Sequence, residues 1–312
     1  MSGRVQSLPF GWRNRSVTVD TSEGRKVLKR YRDEWAVEAI EHEHSILRHL
    51  LTTRFPTVRL EATASGETLV EREGARFALF AFEDGVTLAG YMLPRVRRAR
   101  LWWEVGRLLA VFHRAMDGFF PEGRHHLGFH GVSDVRSRDL AWHLRALDEL
   151  AVAGHRDAGR RDDVAWLRGN AGRIADRITT LDGSLAGAPL SRSVIHGDHG
   201  IHNVIVRKDG TFVLHDFELS RLDWRLIDLV IVLSRVNLRD GRPFLDGYDA
   251  AAGSPAGERR FLPEVWEHYR LCGAVQSWST YERLGDDRRL ATARARVDEA
   301  DQISARDPWV GR

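Results

Sequence analysis

One segment of this 312-residue chain has side chains of the type and spacing that handle phosphate. Between Val194 and Leu219 it reads VIHGDHGIHNVIVRKDGTFVLHDFEL. His196-Gly197-Asp198 comes first, Asn203 lies five residues after Asp198, and Asp216-Phe217-Glu218 closes the run. Asn and Asp oxygens suit Mg²⁺, a hard cation that takes one or two carboxylates, some waters and phosphate oxygens. A separate Asp can orient an attacking hydroxyl or accept its proton. Each of these residues taken singly is also an ordinary turn former; the three in this register point to a site.

The elements that must position them are legible around them. Val204-Ile205-Val206 and Phe212-Val213-Leu214 are short apolar strands, and Lys208-Asp209-Gly210 supplies the turn between them. That hairpin brings Asn203 at one end close to Asp216 at the other, with Asp198 on the preceding loop. Upstream, Ser16–Asp20 alternates as a strand, Thr21-Ser22-Glu23-Gly24 is turn chemistry, and Lys26–Tyr31 is a second strand. A helix is expected over Glu34–Leu51, ended by Pro56, with strands near Thr68–Glu71 and Phe77–Phe82. Beyond Gly85 the pattern turns helical. Leu101, Val105, Leu108, Leu109, Phe112 and Met116 form one apolar stripe. Further helices are expected around Asp139–Ala153, Asp162–Leu181 and Leu226–Val236, with a surface loop at Ala250–Arg260. The expected fold class is α+β: a β-rich N-terminal lobe, residues 1–85, and a larger, mainly helical lobe, residues 86–312.

Composition bounds the rest. Hydrophobic content of 43% excludes wholesale disorder. A net charge of +3 gives no reason to expect a nucleic-acid partner. The single Cys272 excludes an intramolecular disulfide and a cysteine-based zinc site. No apolar run approaches the roughly 18 residues that span a bilayer, and the first residues carry no apolar signal core. The expectation is a cytoplasmic protein without a membrane partner; the oligomeric state is not legible.

HGD and DFE stand where protein kinases have HRD and DFG. With Asn203 between them, they resemble the aminoglycoside phosphotransferase and choline kinase-like family, which has the two-lobed protein-kinase-like fold and phosphorylates small molecules. The resemblance covers most of the chain and implies further roles. Lys29 looks like the strand lysine that reaches nucleotide phosphates, and Glu43 like its helical partner, with Glu38 and Glu41 as competitors for that role. Leu79–Gly85 resembles the hinge that meets adenine, with Phe80 and Phe82 beside it. Asp228 resembles the buried acid that braces the catalytic loop, and Phe112-His113-Arg114 is typical of the family. The phosphate-covering loop departs from the pattern, since Pro9–Arg15 holds one glycine. Backbone amides from Gly11 to Arg15 can still cradle phosphate, helped by Asn14 or Arg15.

The implied activity is transfer of the γ-phosphoryl group of ATP to a hydroxyl of a small molecule, with Asp198 catalytic and Asn203 and Asp216 holding Mg²⁺. The alternatives are a nucleotide-binding regulatory pseudokinase, against which the complete set Lys29, Asp198, Asn203 and Asp216 argues, and a protein kinase, against which DFE and the lack of an APE-like segment argue. The acceptor is not readable. Acids and arginines interleave from Arg239 to Asp301, so no polycationic acceptor is indicated. His196 reads as a structural hydrogen-bonder. His125, His126 and His130 lack a metal register, and Arg95, Arg97, Arg98 and Arg100 read as a solvated helix start. Trp266, Tyr269, Trp278 and Tyr281 either pack the core or wall an acceptor pocket.

Overall fold

The computed structural model describes residues 5–7, 15–90, 95–125, 140–152, 161–236, 238–252 and 257–305. In chain order, β1 (Val5–Ser7), β2 (Arg15–Thr21) and β3 (Gly24–Arg30) lead into α1 (Val37–Thr52). Strands β4 (Leu60–Glu61), β5 (Val70–Arg72), β6 (Ala75–Ala81) and β7 (Gly85–Thr87) follow, then helices α2 (Arg95–Ala115), α3 (Leu140–Val152) and α4 (Arg161–Ala186). Next come β8 (Arg192–Ile195), β9 (Val204–Arg207), β10 (Phe212–Leu214) and β11 (Arg221–Trp224). Helices α5 (Leu226–Leu233), α6 (Leu238–Ala252), α7 (Leu262–Leu284) and α8 (Asp287–Ala305) complete the chain. The class is α+β, as the sequence implies.

Compact packing divides the chain into two units. The first comprises Met1–His126, Ser193–Leu222 and Arg239–Gly253. Its main sheet runs β1-β2-β3-β6-β4, with β5 paired to β6. The β2–β3 hairpin puts Ser16 opposite Lys29, and β6 lies antiparallel on the other side of β3, with Ala78 opposite Lys29. Lys29 therefore sits in the middle of the sheet, where two neighbouring strands fix its backbone. A second sheet, β10-β9-β7, carries the hairpin read from the sequence, in the register Val204↔Leu214. Strand β1 was not anticipated; it pairs with β2 from Val5↔Val19 to Ser7↔Val17.

Helix α1 buries Ile40, Ile46, Leu47 and Leu50 along one face, and with them Glu43. It begins at Val37 rather than Glu34. Trp35, only 1% exposed, is held in a turn by its N–H to the Arg32 carbonyl at 3.0 Å, and Ala36 before the helix is extended. Helix α2 buries Val105, Leu108, Leu109 and Phe112 of the expected stripe, Leu101 is half-buried, and Met116 is buried just beyond the helix end. The loop expected at Ala250–Arg260 is shorter than that. Ala250–Ala252 finish α6 and Arg259–Phe261 form a 3-10 turn, so only its middle is irregular or outside the described residues.

The second unit comprises Leu127–Arg192, Asp223–Leu238 and Ser254–Arg312. Its core is built from α3, α4, α7 and α8, through Leu167, Ile178, Leu271, Trp278, Leu290 and Val297. Trp278 and Tyr281 are part of this core and Tyr269 packs against it. Trp266 is also buried, with its indole N–H donating to Glu299 at 3.1 Å. Core packing is what this aromatic set does. Helix α5 is buried along its whole length, Asp228 included. No helix among the described residues is long and apolar enough to cross a membrane.

Candidate active site

All the described residues that the sequence nominates for phosphate and metal lie in the first unit. Lys29 projects from β3, and its Nζ lies 3.0 Å from Glu43 Oε1 of α1. Glu38 and Glu41, the competing helical acids, are exposed. A second carboxylate, Glu218, is closer still to Lys29, at 2.6 Å. Burial alone would lower the Lys29 pKa. The Glu218 and Glu43 carboxylates outweigh burial and hold it well above the usual value, so Lys29 is charged at any working pH. Its ammonium also lies 4.7 Å from the Tyr31 ring and 5.9 Å from that of Phe80.

Glu43 is itself tethered. The Tyr31 hydroxyl donates to Glu43 Oε2 at 2.8 Å, and its oxygen lies 3.0 Å from His44 Nε2. His44 Nδ1 in turn lies 2.9 Å from Thr68 Oγ1. Burial, aided by Lys29 and Arg48, lowers the His44 pKa to about 3, so the ring is neutral. With Glu43 ionised the proton directions follow. Thr68 donates to Nδ1, Nε2–H donates to Tyr31, and Tyr31 donates to the carboxylate. This file of donors aims Glu43 at Lys29.

The segment His196–Asp198 is built on glycine. Gly197 has φ 79°, and a Cβ there would run into the Leu219 carbonyl oxygen and the Arg221 guanidinium. His196 and Asp198 flank it. His196 Nε2–H donates to the His215 carbonyl at 3.0 Å, and its Nδ1 accepts the Asp198 N–H at 3.3 Å. That is the structural role expected of His196. The Phe217 ring lies 5.0 Å from His196 and 5.7 Å from Phe112, which gives the end of α2 its place in the site. His113 also lies there, its Nδ1 2.9 Å from the Tyr248 hydroxyl. Gly197→Ala is expected to lower Tm: positive φ alone costs an alanine about 1–2 kcal/mol, and the blocked approach adds to it. A thermal melt checks this; an unchanged Tm would mean that the loop does not need this contact.

The hairpin closes as read. The His215 N–H donates to the Asn203 carbonyl at 3.0 Å, which sets Asn203 beside Asp216. The Asn203 amide nitrogen donates to Asp198, to its carbonyl at 2.9 Å and to Oδ2 at 3.3 Å. Its Oδ1 is thus the atom it can offer to a cation. Asp216 has φ 66°, a left-handed conformation that Asp tolerates better than most residues. That turn buries Phe217 and returns Glu218 to Lys29. Burial raises the Asp216 pKa; Lys29 opposes the rise, and Glu43 and Asp198 add to it. Oxygens of Glu43, Asp216 and Glu218 lie within 4.8 Å of one another. Such a crowd of carboxylates around one lysine fits a divalent cation, which would relieve their repulsion.

Phe80 lies buried on β6, on the sheet face that carries Lys29, while Phe82 sits beneath the Arg25 guanidinium at 5.4 Å. The irregular link between β6 and β7 is residues 82–84, narrower than the Leu79–Gly85 read from sequence. Gly11 and Asn14 lie outside the described residues, as do His126 and His130. Sequence reasoning gave no role to Glu218 or Tyr31. The signal for Glu218 was its position two residues after Asp216; Tyr31 stands two after Lys29, on the same side of the strand.

The chain is similar to known proteins. The sequence model of the family described as "Phosphotransferase enzyme family" (APH) matches residues 4–265. A homoserine kinase of Sinorhizobium medicae is 25% identical over 265 residues, covering 81% of this chain and 72% of that protein. A microcompartment-associated aminopropanol kinase superposes with a TM-score of 0.68 at 18% identity, covering 97% of this chain and 93% of that one. An amicoumacin kinase, solved with AMP-PNP, Ca²⁺ and Ami, gives a TM-score of 0.66 at 14% identity, over 96% and 88% of the two chains.

Proposed function

The chain belongs to the phosphotransferase enzyme family, as an ATP-dependent kinase of small molecules, and we propose how its own residues divide that work. Lys29, aimed by Glu43, grips the phosphates of ATP, and the backbone of residues 82–84 meets adenine beside Phe80 and Phe82. Gly11 and Asn14 cover the phosphates. Asp198 orients the acceptor hydroxyl and takes its proton as the new O–P bond forms and the bond to ADP breaks. A Mg²⁺ held by Asp216 and the Oδ1 of Asn203 would supply charge neutralisation across the phosphate oxygens. On this reading residues 1–85 are the nucleotide-binding lobe and residues 86–312 the catalytic and acceptor-binding lobe. The setting is cytoplasmic, with neither nucleic acid nor membrane as partner.

The observation that carries the proposal is the placement of Lys29 among buried acids, with Asp198 hydrogen-bonded to Asn203 at the mouth of the same hairpin. Similarity to a homoserine kinase and an aminopropanol kinase favours an amino alcohol as acceptor. Mg-ATP is expected to raise Tm, since a ligand at 100 times its Kd stabilises the folded state by about 2.7 kcal/mol. EDTA is expected to remove most of the shift. ADP release should then appear with homoserine, 1-amino-2-propanol or ethanolamine and not with a generic protein substrate. No shift at millimolar Mg-ATP would sink the proposal.

A further inference from the structure

Away from Lys29 and its acids, the first unit holds a cavity of about 690 Å³ between α2 and the β9–β10 hairpin. That is within the range of about 300–1,000 Å³ typical of small-molecule sites. Its walls are largely apolar: Leu101 and Leu108 from α2, Val206 and Phe212 from the hairpin, and Pro56. Arg100, Arg107 and Arg207 also line it, against one acid, Glu104. The pairings leave a surplus of positive charge. Arg107 Nε lies 2.8 Å from Glu104, one helical turn away. Arg207 is held by Glu83 at 2.8 Å. Arg100 has no ion-pair partner among the described residues. Guanidinium groups bind carboxylate and phosphate in a two-pronged fashion and are weakly hydrated, so they tolerate an apolar surround better than an ammonium would.

An apolar cavity of molecular size, rimmed by an arginine with no ion pair among the described residues and two more within reach, fits one class of occupant. We propose that this cavity binds a small organic anion, an apolar body bearing a carboxylate or phosphate, with its charge on Arg100 and Arg207 and its body against Leu101, Leu108 and Phe212. The site is separate from the Lys29 cluster. It faces the hairpin whose two strands run on to Asn203 and Asp216, and it includes the residue that ties that hairpin to Glu83. An anion seated on Arg207 competes with Glu83 for it, so occupancy bears on the link between β6 and β7.

The probe is 8-anilinonaphthalene-1-sulfonate, an aromatic anion whose fluorescence reports an apolar surround. One molecule per chain is expected to bind, and to be displaced by octanoate or octyl phosphate, whichever head group the arginines prefer. Arg100→Glu, at an exposed position, should weaken the probe by about tenfold or more. Thr211→Trp, also exposed, should block the mouth by bulk alone. Saturating Mg-ATP and Arg72→Glu should leave binding unchanged, the first separating this site from the phosphate site and the second matching the charge change. Unaltered affinity in Arg100→Glu would overturn the proposal. So would displacement by inorganic phosphate as effective as by the octyl compounds, since the apolar walls would then count for nothing.

Discussion

Asp198→Ala is expected to lower phosphoryl transfer by about 10²–10⁴, the usual worth of a positioned base, while nucleotide binding stays nearly intact. The asymmetry comes from where the side chain sits. Asp198 is tied to Asn203, and Lys29 is held by Glu43 and Glu218, so loss of Asp198 leaves the cation proposed to grip phosphate in place. It also frees the Asn203 amide, and for that reason Asp198→Asn is the informative companion. An amide oxygen still accepts from Asn203 but cannot take a proton. Asp216→Ala should do the reverse and weaken Mg-ATP binding, because a cation ligand is lost. Single-turnover transfer and nucleotide titration on the three variants settle the division of roles. Equal loss of nucleotide by folded Asp198→Ala and Asp216→Ala would overturn it.

Lys29→Ala is expected to cut kcat/KM by about 10²–10³, through loss of a cation that neutralises charge developing in the transition state. Glu43→Ala should cost less. Lys29 keeps Glu218 at 2.6 Å as a second partner and stays charged, though no longer aimed from α1. The double variant should then be little worse than Lys29→Ala alone, because Glu43 acts through Lys29. Strictly additive losses would break the pair. Stability gives a second reading of the same contact. Removing Lys29 leaves two buried carboxylates facing each other, and breaking a buried pair from one side costs about 3–5 kcal/mol. Lys29→Ala should therefore melt well below the wild type, and the rates are compared below its Tm. A double variant that melts higher than Lys29→Ala would show Glu43 to be the source of the strain.

The parts of this molecule legible in the sequence are those specified locally. The β9–β10 hairpin could be read because two apolar triplets flank Lys208-Asp209-Gly210, and its register follows from the turn. Helix α2 could be read because Val105, Leu109, Phe112 and Met116 repeat at helical spacing and all go inside. The start of α1 could not. Ala36 makes no side-chain cap, so nothing in the sequence marks the boundary that the buried Trp35 sets. Strand β1 is three residues long, too short for alternation to register. The same distinction runs through the site. Asp198, Asn203 and Asp216 lie in one segment and announce each other. The Glu218–Lys29 contact and the Thr68–His44–Tyr31–Glu43 file join β3, α1 and loops apart in the chain. Only the packing of α1 and these loops against β3 brings them together, and no local pattern encodes it.

If Lys29 grips phosphate as proposed, its two carboxylate partners make nucleotide binding an exchange rather than an addition. The cleft behaves as an ion exchanger already loaded with its own counter-ions, Glu43 at 3.0 Å and Glu218 at 2.6 Å. On the proposed roles an incoming phosphate would take the ammonium by displacing Glu218 while Glu43 stays to aim it, and it would gain the difference between two attractions rather than the whole of one. The discount works in both directions. It would make capture of ATP weaker than by an unpaired ammonium, and it would supply the push by which Glu218 retakes Lys29 as ADP leaves. Enzymes that turn over need to let go, and here the eluent is part of the resin.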